Sequence, residues 1–104
     1  MIKIIYVDID ETICFYKEKI PLNGKKDYKK AIPNFENIEK VNKMYEDGNT
    51  IVYWTARGSR SGIDWYDLTK SQLDSWGAKY HELRLDKPYY DIFIEDRSIR
   101  IEEI

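Results

Sequence analysis

The sequence predicts a single α/β domain with three layers, in which helices cover a mostly parallel central sheet. Short apolar runs typical of buried strands alternate with longer stretches that carry apolar residues at helical spacing, in the order βαβαβ(α)β. A strand–helix–strand crossover makes its two strands parallel. The 104 residues suffice for one small domain and not for two, so residues 1–104 are interpreted as one unit.

The first predicted strand is the apolar run 2–7, which leads directly into two carboxylates, Asp8 and Asp10. Crowded carboxylates repel each other and resist ionisation unless a cation or hydrogen bonds compensate. A purely structural pair is the less favoured alternative for that reason. The pair predicts a hard divalent metal ion together with an acid that serves as nucleophile.

Residues 13–32 show no sustained hydrophobic period. They carry six lysines and the turn pair Asn23-Gly24. This pattern predicts a solvated loop or a small hairpin that turns at Asn23-Gly24. Two interpretations stay open: an ordinary surface excursion, or a flap that brings positive charge over the two carboxylates.

Two helices and three further strands follow. Pro33-Asn34 is predicted to open the first helix and Asp47-Gly48 to close it. Asp64 is predicted as the N-cap of the second helix, which stops at Gly77. The strands are predicted at 51–54, 80–85 and 92–94.

Composition excludes several classes of protein. The 17 basic and 19 acidic residues leave a formal net charge of −2, so we expect no tight nucleic-acid partner. The single cysteine, Cys14, cannot form an internal disulfide, which fits a reducing compartment. Neither a signal peptide nor an apolar run approaching about 18 residues is present. We therefore expect a soluble, cytoplasmic protein without a membrane partner.

Polar side chains follow three of the predicted strands, and a lysine precedes the last one. The carboxyl ends of parallel strands share one edge of the sheet, where ligands bind in open α/β folds. Phosphoryl transfer through an aspartyl-phosphate needs a carboxylate nucleophile, a second acid, Mg²⁺ held by oxygens, a hydroxyl group and cations. The residues available for these tasks are Asp8, Asp10, Thr55, Arg57, Lys87, Glu95 and Asp96.

Residues 8–12, Asp-Ile-Asp-Glu-Thr, resemble the first motif (DxDxT) of the haloacid dehalogenase superfamily of phosphatases. Thr55, Lys87 and Glu95-Asp96 resemble its second, third and fourth motifs in the same order. Residues 55–58, 87–88 and 95–100 resemble more narrowly its small capless members, the capsular-biosynthesis or sugar-phosphate phosphatases. The resemblance spans almost the whole chain. It implies a Rossmann-like domain with strand order 3-2-1-4 and no large cap domain.

The resemblance also implies roles for single residues. Asp8 would be the nucleophile and a Mg²⁺ ligand, and Asp10 would be the general acid and base, with its backbone carbonyl on the metal. Thr55 would hydrogen-bond the phosphoryl oxygens, Lys87 would neutralise the nucleophile and the phosphate, and Asp96 would complete the Mg²⁺ ligands.

Three more residues are expected near the substrate: Thr12, Ala56 and Arg57, of which Arg57 is a candidate phosphate contact. The chain departs from the family pattern at two positions. Glu11 stands where glycine is common, and Glu95 stands where aspartate is common. Asp96 is therefore preferred over Glu95 as a metal ligand.

The expected function is Mg²⁺-dependent hydrolysis of a small phosphomonoester, with sugar phosphates first and nucleotides or macromolecular phosphate ends next. One alternative is a non-catalytic regulatory module that binds Mg²⁺ or phosphate on the same fold. A phospho-accepting receiver domain is a further alternative, but its acceptor normally follows a later strand than its acid pair. An open site would be closed by the 13–32 loop or by a neighbouring subunit of a homo-oligomer.

Overall fold

The computed structural model describes residues 2–17 and 27–104. Five strands and two α-helices form in this part of the chain. The strands are β1 (Ile4–Val7), β2 (Cys14–Phe15), β3 (Ile32–Pro33), β4 (Thr50–Trp54) and β5 (Glu82–Arg84), and the helices are α1 (Phe35–Glu46) and α2 (Tyr66–Ser75). Single turns of 3-10 helix lie at Tyr28–Lys30 and Ile101–Glu103.

The main sheet has three parallel strands in the order β1-β4-β5. Its parallel character, and the small α/β domain that it belongs to, confirm the coarse prediction. The predicted fourth strand at 92–94 is wrong for the single chain, because these residues lie outside every strand. Only residues 85–91 separate it from β5, and a parallel crossover takes a dozen residues or more.

Both helices pack on one face of the sheet. Strand register places Ile5 beside Ile51, and Val7 beside Tyr53, on the face that carries the core. The opposite face is open among the described residues, where Ile4 and Tyr6 are 72% and 48% exposed. The described structure thus has two layers, and the predicted third layer is absent from it.

Local sequence explains where the helices begin and end. The Asn34 side chain accepts a hydrogen bond from Asn37 N at 3.0 Å, which satisfies an amide at the start of α1. Helix α2 begins one residue later than predicted, because Trp65 takes the N-cap position. Asp64 still contributes, since its carboxylate accepts from Tyr66 N at 2.9 Å.

Two short strands pair at the two ends of the predicted 13–32 loop. Strands β2 and β3 are antiparallel, with Cys14 opposite Pro33 and Phe15 opposite Ile32, as in a small hairpin. The predicted turn at Asn23-Gly24 lies outside the described residues. Within the described ranges, the helices are too short or too polar to cross a membrane.

Candidate active site

Asp8 and Lys87 meet at the carboxyl edge of the parallel sheet. Asp8 follows β1 directly, and its Oδ1 accepts a hydrogen bond from Ile9 N at 2.9 Å and lies 3.6 Å from Lys87 Nζ. The Asp8 side chain is 42% exposed, so a ligand can reach it. Burial raises the pKa of Asp8 above its ordinary value, although the Lys87 charge opposes that shift.

Lys87 is held at the end of β4 by its backbone. Its N–H donates to Thr55 O at 3.3 Å. Its ammonium lies 5.5 Å and 5.4 Å from the ring centroids of Trp54 and Tyr90. These contacts hold the Lys87 ammonium beside Asp8, at 3.6 Å from its carboxylate, which is longer than a direct hydrogen bond.

Thr55 is buried directly after β4. Its amide donates to Arg84 O at 3.0 Å, and its Oγ1 accepts from Arg57 N at 3.2 Å. A threonine hydroxyl carries one donor besides its acceptor lone pairs. The hydroxyl oxygen is therefore fixed by the loop, while its hydrogen can be donated to an anion at this edge.

Asp10 is bound at two points by Arg57. Arg57 Nε donates to Oδ2 at 3.0 Å, and Nη2 donates to Oδ1 at 2.9 Å. The Arg57 side chain is fully buried, and that of Asp10 is 15% exposed. Burial disfavours the guanidinium charge, but the hydrogen bonds and charge of Asp10 raise the pKa of Arg57 overall. The guanidinium of Arg57 thus has partners inside the protein, and its predicted contact with the substrate phosphate stays a prediction.

Four residues that sequence reasoning missed complete this buried network. Thr69 Oγ1 and Gln72 Oε1 accept from Arg57 Nη1 at 3.1 Å and 2.6 Å, and the Tyr28 ring centroid lies 4.7 Å from the guanidinium carbon. Tyr16 OH donates to Asp10 Oδ1 at 2.5 Å, and burial followed by the Asp10 charge raises the pKa of Tyr16. The spacing of Thr69 and Gln72, one turn apart on α2, was the available signal.

Thr12 and Ala56 lie in the loops after β1 and β4. Thr12 O accepts from Asn37 Nδ2 at 2.9 Å, and Thr12 N donates to Ile9 O at 3.2 Å. Ala56 O accepts from Ser59 N at 2.9 Å. These bonds shape the two loops, and the expected positions of Thr12 and Ala56 near the substrate stay predictions.

Glu11 adopts the left-handed backbone region, with φ of 64°. Glycine occupies this region at lower energy than any residue with a Cβ atom. Glu11 therefore adopts a backbone conformation in this loop that glycine would adopt at lower energy.

Asp96 does not join Asp8 and Asp10 in the described chain. Its side chain is 88% exposed and pairs with Arg97 at 3.8 Å. The described residues contain no group of three or more His, Cys, Asp or Glu side chains placed to hold a metal ion. Both Asp10 carboxylate oxygens are bound by Arg57, which leaves the backbone carbonyl of Asp10 for the predicted Mg²⁺ contact, and Asp96 is the predicted ligand that the described chain does not bring to Asp8.

A surface depression of about 560 Å³ lies elsewhere, lined by residues around the end of α2. Its charged groups are already paired, since Lys70 binds Asp74 at 3.0 Å and Lys79 binds Glu46 at 2.5 Å. None of the predicted site residues lines it. We therefore place the candidate site at Asp8.

Comparison with known proteins gives a fold relationship. No protein-family model and no curated protein matches the sequence. A crystal structure of a structural-genomics target from Vibrio cholerae is similar to this chain, with a TM-score of 0.80 and 26% sequence identity. The match covers 99% of this chain and 86% of the Vibrio chain. The chain therefore shares the small α/β architecture of that structure, and the likeness transfers no activity.

Proposed function

We propose that this protein is a phosphomonoester hydrolase that acts through a phosphoryl group carried on Asp8. One observation carries the proposal: an accessible carboxylate, a lysine ammonium 3.6 Å away and a buried threonine hydroxyl gather at the carboxyl edge of a parallel sheet. Asp8 is 42% exposed, and burial raises its pKa, a combination that is common at functional sites and so supports the proposal. The resemblance of residues 8–12 to DxDxT supports the same chemistry.

In the first step, an Asp8 carboxylate oxygen attacks phosphorus, and the bond from phosphorus to the ester oxygen breaks. The departing alkoxide takes a proton from the Asp10 carboxyl group, which becomes a carboxylate. This role comes from the resemblance, and it requires that Asp10 gain a proton and loosen its ion pair with Arg57 when substrate binds. Arg57 stabilises that carboxylate through its two hydrogen bonds at 3.0 Å and 2.9 Å. Lys87 and the Thr55 hydroxyl offset the charge on the phosphoryl oxygens.

In the second step, water attacks the phosphorus of the aspartyl-phosphate and gives its proton to the Asp10 carboxylate. The bond from phosphorus to the Asp8 oxygen breaks, which releases inorganic phosphate and restores both acids. Asp10 thus serves as acid and then as base in one cycle.

We propose Mg²⁺ as the cofactor, because carboxylate oxygens and phosphate are its usual ligands. Asp8 is the accessible carboxylate of the site, and the resemblance adds Asp96 and the Asp10 carbonyl. The ion would screen phosphate charge when bound.

The substrate class rests on the resemblance and on the open site. We propose a small phosphomonoester, with sugar phosphates first, because residues 55–58, 87–88 and 95–100 resemble the small capless type. The described residues include no cap domain over Asp8, so the proposed site can also admit larger phosphate esters. Fold alone does not select among them.

The experiment measures phosphate release from an aryl phosphate and from sugar phosphates, nucleotides and 5′-phosphorylated oligonucleotides. Each is tested with Mg²⁺ and with a chelator, for wild type, Asp8→Asn and the control Asp74→Asn, whose exposed carboxylate lies on α2. We expect turnover in wild type and Asp74→Asn alone. Full turnover in Asp8→Asn would contradict the proposal. No turnover in any protein, with Mg²⁺ binding retained, would favour the regulatory module.

A further inference from the structure

Residues 92–94 form an apolar strand-like segment on the surface. Ile92, Phe93 and Ile94 are 79%, 54% and 92% exposed. Three consecutive large apolar side chains in an extended stretch without helix or strand are unusual on a monomer surface. The segment has the composition of a buried strand and lacks a described partner strand.

Strand β1 presents the complementary feature. It is the edge of the main sheet and pairs only with β4 among the described residues. Ile4 and Tyr6 on its open side are 72% and 48% exposed. An unpaired apolar edge offers a row of backbone donors and acceptors that another strand can pair with.

The segment is poorly placed to pair with β1 of its own chain. The amide of Lys87 binds Thr55 O, which holds the chain at the carboxyl edge of the sheet. A parallel strand would have to start at the opposite edge, after the short connection 85–91. A second copy removes this restriction, because the segment then enters a separate sheet.

Charge favours the same arrangement. Glu95 and Asp96 follow the segment directly, and Lys87 lies beside Asp8 just past the end of β1. A parallel strand with Ile94 beside Tyr6 would carry Asp96 to the level of Asp8. The acid missing from the candidate metal site would then come from the partner subunit, a consequence that rests on the proposed function.

We propose that residues 92–94 of one copy add as a parallel strand to β1 of a second copy, reciprocally, in a symmetric dimer. Asp96 of the partner subunit then lies beside Asp8, and each active site contains residues from both chains. Alternation along the strand places Ile92 and Ile94 on one face and Phe93 on the other. The reciprocal exchange closes the assembly at two copies.

The first experiment measures molar mass by light scattering after size exclusion. We expect a dimer for wild type, a monomer for Ile94→Asp, and a dimer for the control Ile63→Asp, which changes an exposed isoleucine in the loop between β4 and α2. A monomeric wild type, or a dimeric Ile94→Asp, would overturn the proposal. This measurement needs no activity, so it stands or fails separately from the phosphatase function.

The second experiment mixes two inactive variants, Asp8→Asn and Asp96→Asn, after partial unfolding and refolding together. In the exchanged dimer, one of the two sites in a mixed pair has both native acids, so phosphatase activity should return to about a quarter of the wild-type value for random pairing. A dimer that shows no recovery, when wild type is active, would overturn the shared site.

Discussion

Arg57 and Asp10 form a two-point ion pair that joins the loop after β4 to the loop after β1, with N–O distances of 3.0 Å and 2.9 Å. The guanidinium is fully buried, and it also donates to Thr69 and Gln72 on α2. One side chain thus fixes the relative position of three elements around the candidate site. The pair stabilises the fold and also sets the position of Asp10, the residue that we propose as acid and base.

Removal of the Arg57 charge should therefore be costly. We expect Arg57→Met to lower the free energy of unfolding by about 3 kcal/mol, because it removes the cation that pairs with the mostly buried Asp10 carboxylate. The control is Arg60→Met, where the arginine is exposed and the loss should stay below about 1 kcal/mol. Urea unfolding measures both, and equal losses would contradict the structural role of Arg57.

The raised pKa of Asp8 predicts how stability depends on pH. The folded protein holds the Asp8 proton more tightly than the unfolded chain, whose pKa is near 3.8, because burial disfavours the carboxylate. Ionised Asp8 thus destabilises the fold at neutral pH, and the penalty disappears as the pH falls below 3.8. We expect Asp8→Asn to melt at a higher temperature than wild type at pH 7, with the gap closing in acid.

Asp74 is a suitable comparison, because its pKa is shifted in the opposite direction to that of Asp8. Hydrogen bonds from Tyr80 and Lys70 lower the pKa of Asp74, so its carboxylate stabilises the fold above pH 3.8 and loses that effect as the pH falls through the lowered pKa. Asp74→Asn should melt below wild type at neutral pH. If both variants shift Tm in the same direction at pH 7, burial is not the main cause of the effect of Asp8 on stability.

Gly58 is expected to tolerate no side chain. Its φ is 83°, and a Cβ atom there would lie 2.2 Å from the backbone oxygen of Ile63. Gly62 has a similar φ of 75° with open space around it. We expect Gly62→Ala to cost about 1 kcal/mol and Gly58→Ala about 3 kcal/mol of unfolding free energy. Similar losses in chemical denaturation would show that the loop adapts.

Lys87 should matter for activity more than for stability. Lys87→Gln removes the cation 3.6 Å from Asp8 while keeping a polar side chain, and we expect kcat for phosphate release to fall about 100-fold. Lys79→Gln is the control, because Lys79 pairs with Glu46 on α1 and lies outside the candidate site. Unchanged kcat in Lys87→Gln would remove Lys87 from the proposed chemistry.

The sequence pattern correctly predicted the elements that depend on interactions between residues close together in the chain. Helix α1 starts at the Asn34 cap, and β1 and β4 follow their apolar runs, because capping and burial act within a few residues. The strand ends that carry Asp8 and Thr55 were predictable for the same reason.

Contacts between residues far apart in the chain were not predicted from the sequence. Arg57 contacts Thr69 and Gln72, which lie 12 and 15 positions further along the chain. The spacing of these two residues shows that they share one face of α2, but it does not show that Arg57 points toward that face. The segment 92–94 has a strand pattern, but pattern does not specify which copy supplies the partner strand. The prediction of three layers was wrong for a similar reason, because the number of layers depends on which face of the sheet the connections between strands cross.

The most direct test of the account is detection of a phosphoryl group on Asp8. The protein is quenched in acid during turnover of the best substrate, and mass spectrometry of its peptides locates any added phosphoryl group. We expect it on the peptide that contains Asp8, and none in Asp8→Asn. Active turnover with a phosphoryl group on another residue, or with retained turnover in Asp8→Asn, would contradict the account.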